Sequence, residues 1–289
     1  MPPTAAERWT KARSFHHSAY PVERIVAERT QSVSVCLPAR ECAGTVGLIV
    51  GQLVALRSAG AIDEIVVVDA ASVDGTAAVA ERAGAKVLRE AELLPEQGPV
   101  LGKGDAMWRA LSALEGELVL FLDADTEGFS AHFATGLIGA LVCEPEVSFV
   151  KAFYRRPNGG DSEGGGRVNH LTARPALALL YPELAGVRQP LAGEVAARRE
   201  LLEALPFATG YGVEIAMLID AWRKLGLDGI AQVDLDEHRN HHQALSALAP
   251  MAQTVLATVL RRVCEEGRLV DVVAGAPIER PPMAGLRVA

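Results

Sequence analysis

Two carboxylates separated by one residue follow an apolar run in the middle of the chain. Asp123 and Asp125 stand at and just after the end of residues 117–123, whose sequence is ELVLFLD. Alternate side chains of a strand face the same side, so both carboxylates can contact one ligand. Two protein carboxylates, completed by phosphate and water oxygens, commonly hold Mg²⁺ or Mn²⁺ at a diphosphate. Solvated carboxylates at a strand end are the plainer alternative, and this motif alone leaves the two interpretations balanced.

A phosphatase of the haloacid dehalogenase type also ends a strand in Asp-x-Asp and is a rival interpretation. That pattern continues with one spacer and then Thr or Val. Here Thr126 follows Asp125 directly, and Glu127 takes the required position. The motif also belongs on the first strand of its fold, whereas this strand is about the fourth. The sequence therefore favours a metal–diphosphate site.

Two further polar segments precede predicted helices. Asp69 ends the β-branched run 64–69, where its carboxylate can accept hydrogen bonds from a base or a ribose. Lys103 lies between two glycines ahead of a predicted helix, whose N-terminus favours anions. A surface loop lysine and helix-capping polar residues are the plainer alternatives for these segments.

These residues belong to a chain in which strands alternate with helices. Apolar and β-branched runs predict strands at residues 32–39, 64–69, 85–89, 117–123 and 147–154. Helical spacing predicts helices at residues 45–58, 76–83, 104–114 and 131–142. The alternation predicts an α/β fold with a parallel sheet, in which ligands lie beyond the carboxyl ends of the strands. We therefore expect residues 38–42, 69–74 and 123–125 to meet in one crevice.

The second half of the sequence changes character. A Gly-rich break occupies residues 161–166, and the tail from residue 264 is rich in Pro and Gly. Between them we predict a strand at 229–234 and helices at 168–180, 213–225 and 244–263.

Composition limits the class of protein. The chain has 289 residues, 49% hydrophobic and 22% charged, which is typical of a soluble enzyme with a large core. A net charge of −8 argues against general nucleic-acid binding. The four cysteines form no C-x-x-C pair, which is typical of a reduced compartment. Without a signal peptide or an apolar run long enough for a bilayer, we expect a cytoplasmic protein with no membrane partner.

Several segments together resemble a known family. LPA at residues 37–39, VVDAASVDGT at 67–76, GKGDAMWRAL at 102–111 and FLDAD at 121–125 resemble the nucleotide-sugar glycosyltransferases of the GT-A fold. The second half narrows the match through VKAFYRRP at 150–157, GGGRV at 164–168, ARPALALLYPEL at 173–184, QPLAGE at 189–194, LPFATGYGVEI at 205–215, IAQVDL at 230–235 and HRN at 238–240. In this order they resemble the actinobacterial glucosyl-3-phosphoglycerate and mannosyl-3-phosphoglycerate synthases over about residues 31–263.

The resemblance implies a fold, an activity and an assembly. The expected fold is GT-A, with a mostly parallel central sheet flanked by helices and a helical C-terminal part. Residues 1–30 would be an N-terminal extension, 31–146 the nucleotide-sugar-binding half, 147–263 the acceptor-binding half and 264–289 a C-terminal arm. The activity would be retaining transfer of a hexose from a nucleotide sugar to 3-phosphoglycerate, giving a compatible-solute or polysaccharide precursor. Mg²⁺ or Mn²⁺ is the implied cofactor, and a homodimer the implied assembly.

The resemblance also implies roles for the matching residues. The expected metal ligands are Asp123, Asp125 and His238. The donor would contact Pro38, Ala39, Arg40, Glu41, Asp69, Lys103, Ala124, Tyr211 and Glu214. The acceptor would contact Gly166, Arg167, Val168, Asn169 and Asn240. The catalytic set would be Asp123, Asp125, Lys103, Glu214 and Leu191, the last in a loop that approaches the anomeric carbon.

The residue types of the acceptor segment suit a phosphoglycerate independently of the resemblance. GGGR at the start of a predicted helix offers backbone N–H groups and a guanidinium, which suit the carboxylate and phosphate of a phosphoglycerate. A flexible surface loop is the plainer alternative, and it is weakened because Arg155, Arg156 and Arg167 lie near one predicted strand end. For Glu214 the alternative is a carboxylate placed for the helix dipole, and for His238 a surface histidine.

Departures from the family pattern affect the donor. The glucosyl enzymes typically show LPALNEE after the first strand, where residues 37–43 are LPARECA. Ala70 replaces a serine and Asn169 a threonine of the pattern. We therefore favour GDP-mannose as the donor, with UDP-glucose close behind. The alternatives are a metal-dependent phosphatase and a catalytically silent sugar-nucleotide binder; the lack of membrane segments argues against a processive polysaccharide synthase.

Overall fold

The central sheet of the computed structural model holds eight strands within the described residues 3–157, 161, 164–239 and 243–268. They are β1 Ser14–His16, β2 Val33–Ala39, β3 Glu64–Asp69, β4 Lys86–Arg89, β5 Leu118–Phe121, β6 Phe149–Arg155, β7 Val195–Arg198 and β8 Ile230–Glu237. Their order across the sheet is β1-β8-β6-β7-β5-β2-β3-β4. Only β7 runs antiparallel to its neighbours among these strands, so the predicted mostly parallel sheet is confirmed.

Helices cover both faces of this sheet. They are α1 Ala5–Arg13, α2 Val22–Glu28, α3 Val46–Ser58, α4 Thr76–Ala83, α5 Lys103–Ala110, α6 His132–Cys143, α7 Arg174–Leu180, α8 Arg199–Glu203, α9 Val213–Leu225 and α10 Leu245–Glu265. A π-helical turn at Asn169–Ala173 leads into α7 and accounts for the longer helix expected there. Within the described part of the chain, no helix has the length and apolarity to cross a bilayer.

The apolar strands supply two cores because alternate side chains point to opposite faces. On β3, Val67 packs with α3 and α6 in one core, whereas Val66 and Val68 pack with α5 and α9 in the other. β5 divides in the same way, with Leu120 on the first face and Phe121 on the second. Burial on both faces explains why these strands have continuous apolar sequences rather than an alternating pattern.

Three elements were not expected from the sequence. Residues 1–30 were assigned to an extension, but they contain α1 and the edge strand β1, which pairs with β8. The buried Trp9 indole donates a hydrogen bond to the carbonyl of Ile230, 2.9 Å away, and ties α1 to that strand. β7, with the sequence VAAR, lies between β5 and β6, so the sheet continues across residue 146.

The C-terminal boundary also differs slightly from the expectation. α10 continues to Glu265, beyond the predicted end at residue 263. The described residues end at Arg268. The rest of the expected C-terminal arm lies outside the described residues.

Candidate active site

A cleft of about 970 Å³ opens at the carboxyl ends of β2, β3 and β5. The cleft is lined by residues from all three segments that the sequence predicts to meet there, 38–42, 69–74 and 123–125. Of the predicted site residues, those in the lining are Pro38, Ala39, Arg40, Glu41, Lys103, Ala124, Asp123, Asp125, Gly166, Arg167, Val168, Asn169, Leu191, Tyr211 and Glu214. Asp69 and His238 are not part of this lining, and Asn240 lies outside the described residues.

The two motif aspartates occupy a turn rather than a strand. β5 ends at Phe121, so the expected alternation of strand side chains does not apply to Asp123 and Asp125. The intervening Ala124 is buried, and its carbonyl accepts a hydrogen bond from the Thr45 hydroxyl at 2.6 Å. The turn is therefore held by its backbone, with Asp125 exposed at the cleft. Partial burial of the carboxyl and the neighbouring charge of Asp123 raise the pKa of Asp125.

Lys103 connects two carboxylates of the cleft. Its Nζ lies 2.6 Å from Oδ1 of Asp123 and 3.0 Å from Oε1 of Glu214. It is the first residue of α5, and Glu214 lies in the first turn of α9. Burial alone would lower the pKa of Lys103, but the two carboxylates raise it well above its usual value. The lysine therefore carries a fixed positive charge into the cleft.

Glycines allow these side chains to meet. A Cβ on Gly104 would lie 1.9 Å from the carbonyl oxygen of Ala208, so only glycine lets α5 approach the segment before α9. A Cβ on Gly193 would lie 2.2 Å from both carboxylate oxygens of Asp123. The backbone at Gly193 therefore packs directly against the first motif aspartate.

His238 is buried beside a carboxylate that the sequence did not single out. Its Nε2 lies 3.1 Å from Oε1 of Glu194 and 3.1 Å from the hydroxyl of Thr126. Its ring stacks on Tyr154 with centroids 4.5 Å apart, and the Tyr154 hydroxyl donates to Oε2 of Glu194 at 2.8 Å. Burial alone would raise the pKa of Glu194, but the facing His238 lowers it to about 2. Glu194 is thus a buried carboxylate in its ionised form.

The chemistry of this corner suits a divalent cation. Potential ligand atoms of Asp123, Glu194 and His238 all lie within 4.8 Å of one another. Asp125 was expected in this set, yet it is not part of the group found among the described residues. Nδ1 of His238 is buried and has no hydrogen-bond partner in the described structure. An imidazole with two carboxylates at this spacing is compatible with a Mg²⁺ or Mn²⁺ site.

The acceptor segment contributes to the same cleft. Gly166 has a left-handed backbone with φ of 66°, and Arg167 and Val168 follow it into the lining. Arg156 also lines the cleft, and its carbonyl accepts from the Gly165 N–H at 2.8 Å. A Cβ on Gly165 would lie 2.6 Å from that carbonyl oxygen, so the Gly-rich segment packs tightly against the end of β6. Two arginines therefore line the cleft beside the Gly-rich segment.

The loop 189–194 contacts both the acceptor segment and β6. Oδ1 of Asn169 accepts from the Leu191 N–H at 3.5 Å, and the buried Lys151 ammonium donates to the carbonyl of Ala192. Burial lowers the pKa of Lys151 to about 8. Asn169 is itself buried, so its side chain serves this loop as well as the cleft.

Two predicted donor residues have local partners. Asp69 is 5% exposed, and its Oδ2 accepts from the Ser72 N–H at 3.2 Å, while its Oδ1 has no partner among the described residues. Glu41 has φ of 54°, and its carboxylate accepts from the Val73 N–H at 2.9 Å. These carboxylates hold the loops that flank the mouth of the cleft.

Sequence comparison supplies the family. The family model described as Glycosyl transferase family 2 matches residues 34–176. Glucosyl-3-phosphoglycerate synthase of Petrotoga mobilis is 42% identical over 267 residues, covering 89% of this chain and 82% of the relative. The chain belongs to the glucosyl-3-phosphoglycerate and mannosyl-3-phosphoglycerate synthase family. The predicted family is thereby confirmed, and the phosphatase alternative loses its support.

Solved structures of the family confirm the GT-A fold. Mannosyl-3-phosphoglycerate synthase from Rubrobacter xylanophilus matches with a TM-score of 0.87 and 48% identity, covering 93% of this chain and 86% of that structure. Glucosyl-3-phosphoglycerate synthase from Mycobacterium tuberculosis, in complex with Mn²⁺, UDP-glucose and phosphoglyceric acid, matches with a TM-score of 0.80 and 42% identity, covering 86% of each chain. The protein is thus a glycosyltransferase whose family includes enzymes named for both hexoses.

Proposed function

We propose that this enzyme transfers a hexose from a nucleotide sugar to 3-phosphoglycerate with retention of the α-linkage. The observation that carries the proposal is that one cleft joins three parts. Asp123 lines it beside the buried Glu194 and His238 and offers a cation ligand, Lys103 supplies a fixed positive charge, and Arg156 with Arg167 supplies an anion site. These three parts suit a nucleoside diphosphate sugar and a phosphorylated acid.

The cation site is proposed to use Asp123, Asp125 and Nδ1 of His238. Nε2 of His238 lies 3.1 Å from Oε1 of the ionised Glu194 and 3.1 Å from the Thr126 hydroxyl, so Nδ1, which has no partner among the described residues, is the nitrogen that would be offered to the cation. Glu194 then acts as the residue that orients and polarises the imidazole. When bound, the cation would offset the charge that develops on the leaving diphosphate.

The protein's own groups do the remaining work. The Lys103 ammonium stabilises the departing diphosphate, and Glu214 and Asp123 hold that ammonium in position. Arg167 and the backbone at Gly166 bind the anionic ends of 3-phosphoglycerate. Its free hydroxyl attacks the anomeric carbon from the face that the diphosphate leaves, and its proton passes to the leaving diphosphate oxygen. The loop at Leu191 shields this face.

GDP-mannose is the proposed preferred donor, with UDP-glucose second. Four residues in and near the base-binding segments depart from the glucosyl pattern and line the cleft: Arg40, Glu41, Cys42 and Ala70. The mannosyl relative from Rubrobacter xylanophilus also matches more strongly than the glucosyl enzyme from Mycobacterium tuberculosis, by 48% against 42% identity. The homodimer and the cytoplasmic location stay predictions.

A donor-by-acceptor matrix tests the proposal. Initial rates are measured for GDP-mannose, GDP-glucose and UDP-glucose against 3-phosphoglycerate and glycerate, with Mg²⁺, Mn²⁺ or EDTA. We expect product only with the phosphorylated acceptor and a divalent cation, and the highest kcat/KM with GDP-mannose. Donor binding without any product would favour the silent sugar-nucleotide binder and reject the proposed function.

A further inference from the structure

A second group of potential metal ligands lies outside the cleft, where β1 meets the end of β8. Nε2 of His16 lies 3.1 Å from Oδ1 of Asp236, and Nε2 of His17 lies 2.8 Å from Oδ2 of the same carboxylate. Ligand atoms of these three residues all lie within 4.8 Å of one another. Two imidazoles from the N-terminal segment therefore converge on one carboxylate of a distant strand.

The spacing is close to that of a bound transition metal. In a tetrahedral Zn²⁺ site with bonds of about 2.1 Å, neighbouring ligand atoms lie about 3.4 Å apart. The two nitrogen–oxygen distances are 3.1 and 2.8 Å. The ligand atoms would therefore have to move apart by only a few tenths of an ångström to hold an ion. His16 and Asp236 are exposed and His17 is partly exposed, so the group is open to solvent and an ion can reach it.

Neighbouring groups fix the ligands. Nδ1 of His16 accepts a hydrogen bond from the Ser18 N–H at 3.3 Å and lies 2.8 Å from the Ser18 hydroxyl, so Ser18 fixes the orientation of this ring. Asp236 has φ of 66°, a left-handed conformation that turns its carboxylate toward the histidines, and its N–H donates to Asp234 at 3.0 Å. The ring of His17 packs on that of His132 with centroids 4.3 Å apart.

His132 supports the group but is not one of its ligands. Its Nε2 lies 3.1 Å from the carbonyl of Leu235 and its Nδ1 lies 3.2 Å from the Ser130 hydroxyl. Both ring nitrogens are therefore already engaged, and the ring serves as a packing surface for His17.

We propose that His16, His17 and Asp236 form a second divalent-cation site, separate from the cleft, for a borderline ion such as Zn²⁺, Ni²⁺ or Co²⁺. Two imidazoles and one carboxylate favour such ions, whereas the carboxylate-rich cleft suits Mg²⁺ or Mn²⁺. The ion fastens β1 and the turn after it to β8, two residues before His238. Its role is to hold the N-terminal segment on the edge of the sheet, independent of hexose transfer.

Zn²⁺ titration of the tag-free full-length protein by calorimetry tests this site. We expect His16→Gln/His17→Gln to bind one Zn²⁺ per chain fewer than the wild type. We expect Asp125→Asn/His238→Gln, which alters the cleft, to keep that ion. Asparagine also adopts the left-handed backbone found at position 236, so Asp236→Asn should fold normally. We expect it to weaken Zn²⁺ binding by about tenfold or more. Zn²⁺ should raise the Tm of the wild type by more than it raises that of His16→Gln/His17→Gln.

A matched control comes from the sequence itself. His241→Gln/His242→Gln removes the other adjacent histidine pair and should leave the Zn²⁺ stoichiometry unchanged. The proposal is overturned if His16→Gln/His17→Gln and Asp236→Asn both bind Zn²⁺ as the wild type does. It is also overturned if the ion is lost in the control pair instead. None of these readouts depends on transferase activity.

Discussion

The ammonium of Lys103 lies 2.6 Å from Oδ1 of Asp123, the first carboxylate of the motif. It also lies 3.0 Å from Glu214, so α5, α9 and the turn after β5 meet at this one cation. Because both carboxylates raise its pKa, the lysine stays charged across any practical assay pH. The charge that offsets a leaving diphosphate is thus in place before substrate binds.

Removing this charge should slow the chemical step. We expect Lys103→Met to lower kcat by about 10²–10³, the usual cost of losing one preorganised group that stabilises developing charge. Lys224→Met, which removes an exposed lysine near the end of α9, should have wild-type kcat. Steady-state kinetics with saturating donor and acceptor make the comparison, and a kcat of Lys103→Met close to that of the control would reject the role of Lys103.

The packing of Gly193 on Asp123 predicts a strong effect of one methyl group. In Gly193→Ala the Cβ would meet both carboxylate oxygens, so the aspartate must move. We expect kcat/KM to fall by about 10²-fold, as for misplacements near 1 Å in an active site. Gly51→Ala in α3 is the control, since nothing lies within 4 Å of the added atom. That variant should keep full activity and gain up to about 1 kcal/mol of stability. Equal activity of the two variants would contradict the close packing.

The buried Lys151 predicts a pH dependence of stability. Burial lowers its folded-state pKa to about 8 from 10.5, so between these values the unfolded chain binds more protons than the folded one. Stability then rises with pH in that window. As the pH rises through this window, the free energy of unfolding of the wild type should increase by up to about 3 kcal/mol relative to that of Lys151→Met, at about 1.4 kcal/mol per pKa unit.

Urea unfolding of both proteins at about pH 8 and about pH 10 gives this difference. The exposed Lys224 supplies the reference, because Lys224→Met should show no such change between the two pH values. If the free energy of unfolding of the wild type, relative to that of Lys151→Met, stays constant or falls as the pH rises, Lys151 does not titrate in this window.

Glu194 should control the cation affinity through His238. We expect Glu194→Gln to weaken Mn²⁺ binding about 10- to 100-fold, because the carboxylate that orients and polarises the imidazole is lost. Tyr154→Phe keeps that carboxylate and should have a smaller effect. Isothermal titration with Mn²⁺ measures both. If Glu194→Gln binds the ion as tightly as the wild type, Glu194 has no influence on the cation site.

The fold was largely predictable because its strands are buried on both faces. Residues 64–69 and 117–123 have no competing helical period, and short loops separate each strand from the next helix. β1 is only three residues long and β7 is rich in alanine, so neither has a local signal. Both strands form through long-range pairing with β8, β5 and β6, which no local pattern records.

The cleft lining was predictable where a recognised motif follows a strand or begins a helix, as at Asp123 and Lys103. Glu194 and Gly193 lay within the recognised QPLAGE segment, but their importance follows from contacts with residues far along the chain. Lys151 had a signal of its own, since it is a charged residue within an apolar strand. The position of Asp125 in a turn depends on the end of β5, a boundary that sequence patterns define poorly.

The most direct measurement of the central claim is the turnover of Asp125→Ala with saturating Mn²⁺, nucleotide sugar and 3-phosphoglycerate. Asp125 is exposed at the cleft and lies outside the group of Asp123, Glu194 and His238, so its loss should leave the fold intact. The account predicts that formation of hexosyl-3-phosphoglycerate, followed by mass spectrometry, falls by about 10² or more. Turnover close to that of the wild type would contradict metal-assisted transfer at the Asp-x-Asp motif.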